Sequence, residues 1–123
     1  MKRQEKIQAP EILFGFALRA RILIVGRDNL AREKNRLQFI LITRDISKNS
    51  LEKILWDFRH YPVVQDYTTV DLEEFFGMKS TKVIGFRKSD LARSLYAALK
   101  DHRINQPSLS ENASVRQRRK GIR

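Results

Sequence analysis

Phe39-Ile40-Leu41-Ile42-Thr43 is almost wholly apolar, with Asn35-Arg36 before it and Arg44-Asp45 after it. A run this short between turn-like polar residues reads as the strand spanning Gln38 to Thr43. Successive side chains of a strand point to opposite faces, so a strand apolar at nearly every position must be covered on both. The chain therefore needs packing layers above and below a sheet. With 123 residues it can build one such core, and it has no cysteine with which to staple it.

The remaining pattern supplies the layers. Glu11 to Ala20 reads as a helix following Pro10, with Ile12, Leu13, Phe16 and Ala17 on one side. Ile22 to Val25 is a short strand stopped by Gly26. Asn29 to Arg36 reads as a short helix, with Asp28 able to cap it. Asn49 and Glu52 have capping-box spacing ahead of the stripe Leu51, Ile54, Leu55 and Phe58, and Tyr61-Pro62 ends that helix. Val63-Val64 starts a strand. Val70 to Phe76 reads as a helix closed by Gly77, and Lys82 to Phe86 as another strand. Ser89 or Asp90 caps a last helix carrying Leu91, Leu95 and Leu99. This alternation predicts an α/β fold, a three-layer α/β/α sandwich around a small mixed sheet. Residues 1–10 read as a basic N-terminal extension, 11–104 as the domain, and 105–123 as a disordered basic tail.

The formal charge is +11, and its distribution is informative. Residues 1–10 contribute +2, residues 11–104 contribute +5, and residues 105–123 contribute +4. A basic domain with a basic tail points to a polyanionic partner, most often nucleic acid. No stretch approaches the roughly 20 apolar residues of a membrane span. Met1 to Lys6 is not followed by the apolar segment of a secretory signal, so the expected location is cytoplasmic, without a membrane partner.

Reactive constellations are missing from the sequence. There is no nucleotide-binding glycine loop, no nucleophilic serine motif, and no second histidine one helical turn from His60 or His102. Glu73-Glu74 is a carboxylate pair, but adjacent helical residues point in different directions. The expectation is a non-enzymatic protein with no cofactor, metal or small-molecule substrate.

Three segments have the chemistry for RNA. The first runs from Gly26 to Arg32. Arg27 and Arg32 suit phosphates, while Asp28 and Asn29 can meet base edges, Asp28 by accepting from guanine N1–H and N2–H. Asp28 equally suits a helix cap. The second joins Lys79 and Lys82 to Val83 and Ile84, as small apolar groups beside lysines can pack on unstacked bases. Alternation along a strand turns at least one of Val83 and Ile84 into the core. The third is the tail, with Arg118, Arg119 and Lys120, whose signal is purely electrostatic. Trp56 lies off the apolar stripe of its helix and offers a docking face.

From about Glu11 to Asp101 the chain resembles the kink-turn-binding ribosomal-protein superfamily. That group holds the archaeal seven-Ae and eukaryotic thirty-e large-subunit proteins and small bacterial relatives. The resemblance rests on Leu13 to Ala20, Ile22 to Gly26, Phe39 to Asp45, Leu72 to Gly77 and Val83 to Phe86. It implies an α/β/α sandwich and an RNA partner, ribosomal or otherwise structured, with the ribosome or ribonucleoprotein components alongside. It places the family's guanine-reading Asn-Glu pair at Asp28 and Asn29, its backbone-holding lysine at Arg32, and its apolar contact loop at Lys79 to Ile84. Here the amide and carboxylate have exchanged places, the helix after them is about two residues shorter, and Glu73 stands where the family often has glycine. The alternative function is a protein-interaction module of the same fold that has lost kink-turn specificity.

Overall fold

The computed structural model describes residues 9–105. Five helices surround five strands: α1 (Pro10–Ala20), β1 (Leu23–Val25), α2 (Arg27–Arg32), β2 (Leu37–Ile42), α3 (Lys48–Asp57), β3 (Val63–Gln65), α4 (Thr69–Phe76), β4 (Val83–Arg87), α5 (Asp90–Ala98) and β5 (Arg103–Asn105). The strands lie in the order β1-β4-β2-β3-β5, with β2 and β3 parallel and the other neighbours antiparallel. The result is the expected α/β sandwich around a mixed sheet.

Alternation along the central strands builds two separate cores. Phe39 and Leu41 of β2, Val64 of β3, and Ile84 and Phe86 of β4 face one way. They pack with Leu13, Phe14 and Ala17 of α1, Leu72 and Phe76 of α4, and Ala92 and Leu95 of α5. Leu37, Ile40 and Ile42 face the other way, with Ile24, Val63 and Val83. Leu30 of α2, Ile54 of α3 and Phe58 just beyond it cover them. Gly85 belongs to this second face by position. A Cβ there would lie 2.3 Å from Leu30 Cδ2 and 2.6 Å from Leu37 Cδ2, so its missing side chain lets α2 sit down on the sheet.

Four local expectations need correction. The buried face of α1 is Leu13, Phe14 and Ala17, whereas Ile12 and Phe16 are exposed. Phe14 fits deeper because α4, the Tyr67 corner and β4 together supply four aromatic partners for its ring. The α3 cap is Ser47, whose hydroxyl accepts from the Ser50 N–H at 3.2 Å, rather than Asn49. The α2 cap is Gly26 rather than Asp28, and the helix ends at Arg32, followed by a 3₁₀ turn over Lys34–Arg36. Finally, Asn105 belongs to the domain, as the last residue of β5. Its carboxamide donates to the carbonyls of Arg59 and Tyr61, and Arg103 donates to the Tyr96 carbonyl while lying over that ring. Three residues that alternate charged, apolar and polar give no strand signal of their own, and side-chain bonds hold them in place.

Candidate nucleic-acid interface

The register between β1 and β4 pairs Val25 with Ile84. Gly26 therefore emerges beside the start of β4, and the loop Lys79–Lys82 arrives at the same end of the sheet. The ends of β2 and β3 join them there. The Thr43 N–H donates to the Lys82 carbonyl at 2.9 Å, and the Arg44 N–H donates to the Tyr67 carbonyl at 2.8 Å. The topology thus gathers four loops that are far apart in sequence.

Gly26 turns the chain into α2 with φ of 97° and ψ of 140°. A positive φ of this kind strains any side-chain-bearing residue. Gly26→Ala is expected to cost about 1–3 kcal/mol. A shift of the thermal midpoint measures it, and a midpoint within 1 °C of wild type (a shift well below that of about 1 kcal/mol) would show that the turn is indifferent to glycine.

Beyond the turn, Asn29 works inward. Its Nδ2 donates to the Val25 carbonyl at 2.7 Å, and its Oδ1 accepts from the Arg32 guanidinium. Asn29 and Arg32 are exposed, yet they are tied to each other and to the strand. Asp28 is exposed in the first turn of α2, so its carboxylate is the outward group of the Asp28-Asn29 pair. Arg27 reaches Asp57 at 3.7 Å, with both side chains about half exposed. Ion pairs as open as this contribute about 1 kcal/mol or less, so a phosphate can take the guanidinium. Arg27, Asp28, Ala31, Lys34, Asp57 and Phe58 line a cleft of about 310 Å³ between α2 and the end of α3.

The second segment divides. Lys79 is exposed, on a loop that turns at Ser80 with φ of 59°. Lys82 is half-buried and donates to Thr69 Oγ1 at 3.0 Å. Val83 and Ile84 form no apolar surface. Ile84 is fully buried in the first core, and Val83 is 9% exposed against the second. The expectation that Val83 and Ile84 offer an apolar contact to RNA, with at least one of them turned into the core, is corrected: the strand is covered on its two faces and both are in the core. Arg118, Arg119 and Lys120 lie outside the described residues.

An acidic network also occupies this end, and sequence reading did not find it. Asp45 accepts from the Thr69 hydroxyl at 2.9 Å and from its N–H at 3.2 Å. The Thr43 hydroxyl, followed by these two donors, holds the Asp45 carboxyl below its usual range against the opposing effect of desolvation. Asp66 is largely buried and pairs with Arg44 at 3.1 Å and with His102 Nε2 at 3.2 Å. Burial, and then the hydrogen bond to Glu11, push the Tyr67 phenol above its ordinary value. Arg44 and Asp66 are 22 residues apart, and only the parallel β2–β3 pairing brings them together. Among the described residues no group of three metal-ligating side chains converges, and no helix is long and apolar enough to cross a membrane. Trp56 is 66% exposed on α3, with the Arg59 guanidinium 4.0 Å above its ring.

Neither a family model nor a curated protein matches this chain. Solved structures do. A Bacillus halodurans protein of unknown function is 22% identical and superposes with a TM-score of 0.67, over 74% of this chain and 96% of its own. A Giardia lamblia 15.5 kD RNA-binding protein is 12% identical, with a TM-score of 0.56 over 83% of this chain and 90% of its own. At these identities the likeness is one of fold, and it spans nearly the whole of both neighbours.

Proposed function

We propose that this chain is a non-enzymatic, cytoplasmic RNA-binding protein that recognises structured RNA, kink-turn-like or ribosomal. The supporting observation is the β1–β4 register. It places the Gly26 turn, with Arg27, Asp28 and Arg32, beside the Lys79 loop on a fold shared with a Giardia RNA-binding protein. In this reading Arg27 and Lys79 hold phosphates, and Asp28 accepts from guanine edges exposed by non-Watson–Crick pairing. Asn29 and Arg32 keep the turn in shape, and Arg32 has further donors for the backbone.

Fluorescence titration of a kink-turn hairpin, against a control whose sheared G·A pairs are replaced by Watson–Crick pairs, tests the reading. A well-placed base contact discriminates by about 1–3 kcal/mol, so a preference of about tenfold or more is expected, and it should fall in Asp28→Ala. Equal, weak binding to both hairpins would remove kink-turn recognition.

A second reading is a protein-interaction module. Trp56 supports it: a large aromatic ring held open on the outer face of α3 under an arginine is the kind of group that anchors protein interfaces. Co-purification of a partner without RNA, with binding unchanged at high salt, would favour it.

A further inference from the structure

The charge of the described domain is polarised along the strands. Where β1 and β2 begin and β4 ends, the Arg87 N–H donates to the Ile22 carbonyl and the Lys88 N–H to the Arg36 carbonyl, each at 2.8 Å. This sets Arg21, Arg36 and Lys88 on neighbouring chain segments, with Arg19 in the last turn of α1 beside them. All four are exposed. The acids at this end are already engaged: Glu33 holds Arg87 at 3.0 Å, and Asp90 pairs with Arg93. At the other end, Arg27, Arg32, Arg44, Lys79 and Lys82 stand among Glu11, Asp28, Asp45, Asp66 and Asp71, so the positive and negative charges there roughly cancel. The excess positive charge of the domain therefore lies away from the glycine turn.

The exit of the chain is an independent observation. β5 runs antiparallel to β3 and pairs Asn105 with Val63, the first residue of β3. β3 is parallel to β2, so residue 105 leaves the domain at the end where β2 begins. Residues 106–123 then add Arg116, Arg118, Arg119, Lys120 and Arg123 against Glu111. Both sources of positive charge start from one end of the sheet.

We infer that this end is a second phosphate-binding surface. Arg19, Arg21, Arg36 and Lys88 hold the backbone of an RNA segment other than the one at the glycine turn. The inference rests on the RNA-binding reading and extends it to a bipartite contact. The two ends are separated by the six residues of β2, about 20 Å, so the phosphates they hold are several nucleotides apart along the RNA. Three of the four cations are arginines, whose planar fork matches phosphate oxygens in pairs. They stand on three elements rather than along one amphipathic helix, which fits a polynucleotide surface better than a lipid one.

The test uses the full chain carrying R19Q, R21N, R36Q and K88Q. Asparagine is chosen for position 21 because Arg21 has φ of 59°, which asparagine tolerates. Thermal unfolding checks the fold. The probes are the kink-turn hairpin, its Watson–Crick control, and phosphatidylserine–phosphatidylcholine vesicles. Affinity for both hairpins should fall by a similar factor, about tenfold or more at physiological salt. The slope of log K against log salt should drop by about two to four, with the ratio between hairpins kept. Affinities within twofold of wild type and an unchanged slope would overturn the surface. So would salt-sensitive vesicle binding lost in the variant while RNA binding stays.

The two readings fail differently. If the wild type does not distinguish the hairpins but the variant weakens both, the turn reading falls and this surface stands. If the wild type prefers the kink turn and the variant matches it, the reverse holds. A wild type that binds neither hairpin overturns both.

Discussion

Phe14→Ala is expected to destabilise the domain by about 3–5 kcal/mol, the range for truncating a fully buried phenylalanine. Phe14 has no exposed surface. Its ring lies within 5.1 to 6.3 Å of the rings of Phe76, Phe75, Tyr67 and Phe86, so it joins α1, α4, the Tyr67 corner and β4. Truncation removes apolar burial and edge contacts together, and α1 has only Leu13 and Ala17 left with which to hold the sheet. For a domain of this size each kcal/mol moves the thermal midpoint by about 4–8 °C, so a drop of at least about 12 °C should be seen by circular dichroism. Phe14→Leu should recover part of it. A drop below about 3 °C would mean that the aromatic cluster does not hold this layer.

The second large effect concerns the seat of α2. Leu30 is the only buried residue of that helix. Leu30→Ala is expected to cost about 2–5 kcal/mol and to weaken RNA binding, because the helix carrying Asp28 loses its anchor. Gly85→Ala pushes a methyl into the same space, at 2.3 Å from Leu30 Cδ2, and is expected to cost about 1–3 kcal/mol. The two errors are opposite in sign: one empties the site and the other overfills it. The double variant should therefore be more stable than the sum of the single losses implies, by about 0.5–3 kcal/mol. Denaturant unfolding of the four proteins measures this coupling. Strict additivity would show that Gly85 is required for a reason other than room for α2.

The sequence revealed the layers because the two-sided run in β2 permits little else, and every helix placed around it has its counterpart. Gly77 is legible for a local reason: it closes α4 in the left-handed conformation, with φ of 72°. What the sequence hid is what depends on distant partners. Ile12 and Phe16 have helical spacing as good as that of Leu13 and Ala17, and only the aromatic sockets of α4 and the Tyr67 corner decide which face of α1 goes in. β5 exists through the bonds of Arg103 and Asn105 to other elements. At the candidate interface, the glycine turn was readable from Gly26 alone. The fate of Ile84 was not, since two-sided burial of β4 depends on its central place between β1 and β2. The charge asymmetry was equally invisible, as it appears only when the strand directions are known.

The bond from Asn29 to the Val25 carbonyl has a consequence for how copies of this protein behave toward one another. β1 is an outer strand of the sheet. The Ile22 carbonyl faces β4, so by alternation Leu23 and Val25 turn their backbone polar groups outward. Such a row is a template on which another strand can grow. Asn29 occupies one of its acceptors with a side chain from the next helix. The turn that offers Asp28 to a ligand thereby also blunts a sticky margin, and it helps keep the sheet at five strands.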